Sequence, residues 1–172
     1  DVARRGGQRE KGEMVPRRFN QILAGETPPL YTHGIGRREL AQSVTAPDNP
    51  LTARVIVNRV WHWHFGKALV RTPSNFGILG EEPTHPQLLD WLATDFIEHG
   101  WSLKRLHRQI MLTSTWQMSS RFEKEKFAID GDNKLLWRMN SRRLEAEIWR
   151  DSLLAVTGEL DRTIGGKPDR EI

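Results

Sequence analysis

Arg54, Asn58 and His62 recur at steps of four residues and are the first candidates for chemistry in this chain. On a helix, at about 100° per residue, that spacing gathers them within about 80° of arc. Such a stripe could form an anion or substrate site, with Arg54 clamping charge and His62 transferring a proton. It could equally be a buried network bonded to loop backbone and to a carboxylate such as Glu145 or Asp151. Buried polar groups are costly without partners and usually find them within the protein, so the network is the favoured reading.

Arg59 and His64 stand on the same segment. His62-Trp63-His64 invites a metal reading, but an i, i+2 pair on a helix points about 160° apart and cannot easily share one ion. Helical zinc pairs use i, i+4, and the chain has no Cys, so no metal is assigned. His85 and His107 are each isolated in sequence and are read as packing or surface residues. Glu147 and Asp151 could form a paired-carboxylate site. An ion-pair lattice of Glu145, Glu147 and Asp151 against Arg54 and Arg59 is the better reading. Among the seven Trp, Trp101 and Trp116 lie at helix ends and are the candidate aromatic contacts for a ligand, carbohydrate being one that aromatic platforms bind. Gly77-Ile78-Leu79-Gly80 lacks the Gly-Lys-Ser/Thr ending of a phosphate loop, and no nucleophile elbow or Ser/His/Asp arrangement is present.

The elements that position these residues read as helices. Residues 1–36 are rich in Gly, Pro and Arg and form an extended arm or linker from an upstream domain, with at most a short helix over 17–23. A helix over 37–45 carries Leu40, Ala41 and Val44 on one side. Asn49 caps the central helix, Pro50 takes its first position and Gly66 ends it at Phe65. That helix is apolar nearly all the way round and should be an interior rod. A long loop follows over 67–85, pinned by Leu69, Val70, Phe76, Ile78 and Leu79. Thr84-His85-Pro86-Gln87 fits a capping box for a helix whose apolar face is Leu88, Leu89, Leu92 and Phe96, with Trp91 beside it. Gly100 ends that helix and Ser102 caps the next, where Leu103, Leu106, Ile110 and Met111 recur at helical spacing. Residues 119–134 read as an irregular surface excursion. Asn140 or Ser141 should cap a last helix to Val156 that turns Leu144, Ile148, Ala155 and Val156 inward. The expected fold is mainly α: an irregular bundle of about five helices with a long ordered loop and an extended arm. The expected divisions are the arm 1–36, a helical domain 37–158 and a truncated continuation 159–172.

Composition narrows the class. The 172 residues are 37% hydrophobic, with 26 basic against 22 acidic residues, a net +4 and mean hydropathy −0.60. That excess is mild and disfavours nucleic acid as a partner, since binders of this size carry a denser basic stripe. Without Cys there is no disulfide, thiolate zinc site or covalent haem attachment in this segment. No apolar run reaches membrane-spanning length and no signal core opens the chain. Both ends read as cuts in a longer protein.

Several ordered segments together resemble a known family. They include Asp48-Asn-Pro-Leu-Thr-Ala-Arg54, Val57-Asn-Arg-Val-Trp61, His64-Phe-Gly66, Leu69-Val-Arg-Thr-Pro-Ser-Asn-Phe-Gly77, Leu88-Leu-Asp-Trp-Leu92, Leu135-Leu-Trp-Arg-Met-Asn140 and Arg143-Leu-Glu-Ala-Glu147. Over roughly residues 13–166 the chain resembles the domain-of-unknown-function family (PSD type) at the C-terminal end of exported planctomycete-type proteins, which often carry cytochrome c-like domains. The resemblance implies an extracytoplasmic setting, upstream domains of the same chain as partners, and haem held upstream rather than here. It implies no activity. Members tend to have two adjacent His before the Phe-Gly; here Trp63 stands in the first place. The leading expectation is a non-catalytic interaction module. The alternative is a ligand-binding or hydrolytic domain under the 67–85 loop, lined by Arg54, Asn58, His64 and Glu147.

Overall fold

The computed structural model describes residues 15–165. The first fourteen residues of the expected arm and residues 166–172 of the expected continuation lie outside the described residues. The chain divides into two compact units, Asp1–Asn140 and Ser141–Ile172, so the expected 37–158 domain has residues in both.

In the first unit, α1 (Gln21–Ala24) and α2 (Arg37–Thr45) precede a core of α3 (Thr52–Phe65), α4 (Pro86–Glu98) and α5 (Leu103–Met111). A short α6 (Lys124–Ile129) follows, inside the stretch expected to be irregular. The described residues are mainly helical. Their sole sheet-like feature is an antiparallel bridge between Arg18 and Leu30, which closes the 18–30 segment.

α3 begins where the side chain of Asn49 accepts the N–H groups of Leu51 and Thr52 at 3.0 and 3.3 Å. Pro50 precedes those donors, where its missing N–H costs nothing. Gly66 ends the helix at φ 72°, donating to His62 O at 2.7 Å. The left-handed conformation there is one that glycine adopts without strain. Ala53, Val57, Val60, Trp61 and Phe65 are buried, a stripe at helical spacing. They pack with Leu89, Leu92, Ala93 and Phe96 of α4 and Leu106 and Ile110 of α5. Each fully buried large side chain contributes about 1.5–3 kcal/mol relative to exposure. The interior rod needs one correction: Arg59 and Trp63 are exposed, because α4 and α5 cover only one side of α3.

α4 starts without the expected capping box. Thr84 is turned away, its N–H and hydroxyl both donating to Leu69 O. Ser102 caps α5 as expected, accepting from Arg105 N at 3.3 Å. Between these helices Gly100 and Trp101 both have positive φ, 69° and 60°. Trp101 pays for that uncommon backbone by donating its N–H to Phe96 O and laying its ring edge-on against Phe96, centroids 5.2 Å apart.

The second unit contains α7 (Ala146–Thr157), closed by Gly158 at φ 80°. It starts later than expected, because Asn140 spends its side chain on Phe65 O and Asn133 instead of capping a helix. The inward face expected for α7 is absent: Leu144, Ile148, Ala155 and Val156 are exposed, and no residue of the helix is buried.

Candidate functional site

The polar residues of α3 go to different partners. Asn58 is fully buried, and its amide grips the backbone of Val70 twice. Nδ2 donates to Val70 O at 3.0 Å, and Oδ1 accepts Val70 N–H at 2.8 Å. One side chain thus satisfies both backbone groups of a buried loop residue, which otherwise would be orphaned. Arg54 donates through Nε to Asp90 at 2.7 Å and through Nη1 to Pro50 O. Its carboxylate partner is therefore Asp90 on α4, where the sequence predicts one such as Glu145 or Asp151. His62 is half-buried with an unpartnered Nδ1, and Arg59 is exposed, so the i, i+4, i+8 stripe does not converge on one site.

His64 and His107 meet, with Nε2 of one and Nδ1 of the other 2.7 Å apart. One nitrogen must donate and the other accept. Trp116 lies edge-on to His64 at 4.8 Å and to Phe65 at 5.6 Å. Trp101 and Trp116 are both half-buried and packed on the core. Glu145, Glu147 and Asp151 are exposed residues of the second unit, with Glu145 at the N-cap of α7 and the other two on the helix. Among the described residues no group of three His, Asp or Glu could hold a metal ion.

The 67–85 loop is built from within. Thr72 Oγ1 donates to Asn75 O and accepts from Glu81 N, while Asn75 Oδ1 accepts from Gly77 N. Gly80 closes the turn onto Gly77 O, and a Cβ there would stand 2.3 Å from Asn75 O, so no larger residue fits. Leu69 and Val70 are buried and Phe76 packs on the core, as expected. Ile78 and Leu79 do not: they are 100% and 87% exposed at the tip of the turn. Beneath the loop lies a cavity of about 440 Å³. Of the four residues expected to line it, Arg54 does, and Phe76, Glu81 and Asp90 are among the other lining residues.

A second opening is more apolar. Trp61, Leu88, Trp91 and Leu92 face Ile110, Leu112 and Thr113 across a groove of about 360 Å³. Trp91 and Leu112 are 57% and 65% exposed on it. At its floor Gln109 donates to Asp95 at 2.8 Å, while its Oε1 is buried without a partner.

Sequence reasoning missed the joint between α4 and α5. Asp95 accepts two bonds from Arg105 and one from Gln109, with His99 3.2 Å away. The Arg105 hydrogen bond above all, aided by Gln109 and by the charges of Arg105 and His99, holds the Asp95 carboxyl below its ordinary range against the opposing effect of burial. The signal was present as Asp95/His99 and Arg105/Gln109, each at i, i+4. Also missed was Asn133, buried at φ 53° and bonded to Arg138 and Asn140, with Asp130 capping the same turn through the N–H groups of Lys134 and Leu135. Burial raises the Asp130 carboxyl, but those donors and the charges of Arg71 and Lys134 outweigh it and hold it below the usual range.

A family model described as PSD1, protein of unknown function (DUF1553), matches residues 36–171, most of the chain. The chain belongs to the PSD1 family. Comparison with curated proteins and with solved structures gives no match. The PSD1 match takes in the core helices, the 67–85 loop and α7, and it starts just before α2, so most of the arm lies outside it.

Proposed function

We propose that this PSD1 domain is a non-catalytic interaction module of an extracytoplasmic multidomain protein, docking an upstream domain of its own parent chain through the α4–α5 groove. The observation that carries the reading is the contrast between α3 and the groove. Three polar side chains of α3 are met by protein, Asn58 by Val70, Arg54 by Asp90 and Pro50, and His64 by His107, while His62 Nδ1 is left without a partner. The groove leaves Trp91 and Leu112 exposed in a mostly apolar lining, the character of a surface that a partner covers. The resemblance to exported planctomycete-type proteins supplies the setting. In this reading residues 1–36 link to the upstream part, 159–172 begin a continuation, and haem belongs to a cytochrome c-like domain upstream, with no cofactor in this segment. No described helix is long and apolar enough to cross a membrane.

The test mixes this segment with the separately expressed upstream part of the parent. Binding weakened at least tenfold by Trp91→Ser with Leu112→Ser supports docking. Unchanged binding, or a defined turnover lost on deleting the segment while the rest stays folded, removes the reading. The second reading is a ligand site beneath the 67–85 loop, favoured by the cavity that Arg54, Glu81 and Asp90 share. A carbohydrate partner would use Trp91, the tryptophan most open on the groove. Nucleic acid is disfavoured by the mild charge, and salt-dependent DNA binding would restore it.

A further inference from the structure

The arm and α2 enclose a third opening, independent of the groove. Its volume is about 330 Å³, and Val15, Tyr31, Ile35 and Leu40 line it together with three arginines, Arg17, Arg18 and Arg37. The two kinds of residue make an amphipathic wall. Val15, Ile35 and Leu40 are each about half or more exposed there, so the apolar part is unspent.

The charge is unspent as well. Arg17 donates to Gly34 O at 2.7 Å, a neutral acceptor that positions its guanidinium without neutralising it. Among the described residues no carboxylate is bonded to Arg17, Arg18 or Arg37. Glu39, two residues from Arg37, is engaged by the neighbouring backbone: its Oε1 accepts the N–H groups of Thr32 and His33. Among the described residues no acidic one lines the opening.

The site is also held in shape. Gly36 is buried at φ 79°, and a Cβ there would lie 3.2 Å from Tyr31 Cβ and 3.7 Å from Arg17 Cδ. Tyr31 is tied by its hydroxyl to Ser43 at 2.8 Å and by its N–H to Arg17 O at 2.8 Å. Backbone bonds therefore fix the stems of Tyr31 and Arg17 on one wall while the neighbouring guanidiniums stay free to close on a ligand.

From this juxtaposition we infer a binding site for a small organic anion: a carboxylate, sulfate or phosphate head on an apolar body. Guanidinium groups match such heads through paired N–H donors, and the flat faces of Arg and Tyr suit an apolar or aromatic body. An inorganic oxyanion would use only the arginines, and a neutral apolar solute only Val15, Ile35 and Leu40. The site takes a molecule that uses both.

Phenyl phosphate is the probe, with inorganic phosphate and phenol as its two halves, titrated into the whole 172-residue chain at constant ionic strength and followed by NMR. The expected result is saturable shifts confined to the amides of Tyr31, Ile35, Gly36 and Arg37, with phenyl phosphate binding at least tenfold more tightly than either half. Arg18→Gln with Arg37→Gln should weaken it at least tenfold while leaving core resonances in place. Arg121→Gln, an exposed change outside the opening, should leave the affinity unaltered. The inference is overturned by shifts that fail to saturate, by inorganic phosphate binding as tightly as phenyl phosphate, or by the double variant binding like the parent. Groove variants do not touch these residues, so failure here and failure of docking are separate results.

Discussion

α3 and α7 are helices of similar length, 14 and 12 residues, and each is more than half apolar. Six residues of α3 are buried and none of α7 is. What differs is company. α3 has α4 and α5 packed along it, whereas α7 is the only helix in its unit among the described residues. An amphipathic pattern offers a face; burial requires a second surface within reach.

The sharpest way to break the comparison is to cut the core. Phe65→Ala removes a fully buried ring stacked on Trp61 at 4.3 Å and should cost about 3–5 kcal/mol in urea unfolding. A loss under about 1 kcal/mol would mean α3 is not the centre. Next comes Asn58→Ala, which orphans both backbone groups of Val70 in a dry site and should cost about 2–4 kcal/mol. Amide exchange at Val70 should rise with it; unchanged protection there would show that the clamp is dispensable.

Asp95→Asn tests the α4–α5 joint by pH. The folded carboxyl is held below its ordinary value near 3.8, so its stabilisation is present above that value and is lost as pH falls through the lower folded value. The variant should melt below the parent at pH 6, and the gap should close as pH falls through the lowered folded value of the carboxyl. A gap independent of pH would assign the effect to packing. Arg54→Gln breaks a pair whose side chains are 36% and 56% exposed, and should cost less than about 1 kcal/mol. The smallest effect belongs to α7: Leu153→Ala, 48% exposed, should stay within about 0.5 kcal/mol. A larger loss would show that α7 has a packed partner after all and would erase the contrast.

Local signals were read well where the cause was local. Asn49, Pro50 and Gly66 bound α3, Ser102 opens α5 and Gly158 closes α7, because caps act on neighbouring N–H and C=O groups. Thr84 shows the limit: its spacing fits a capping box, but Leu69 O, fifteen residues away, competes for its hydroxyl. Ile78 and Leu79 looked like anchors by hydrophobicity alone, yet the tight turn closed by Gly80 aims them at solvent. The polar stripe was legible as a set of needs and illegible as a set of partners. His107, isolated in sequence, meets His64 forty-three positions away, and Asp90 reaches Arg54 across thirty-six.

Helix content, caps, the absence of thiol chemistry and PSD1 membership all follow from residue types and order, since each depends on short-range geometry or on composition. Tertiary structure alone decided which side of α3 is dry, that one amide would hold Val70, and that Trp91 and Leu112 would line an open groove. Those outcomes depend on which surfaces meet, and a linear pattern states what a face can bury without naming what arrives to cover it.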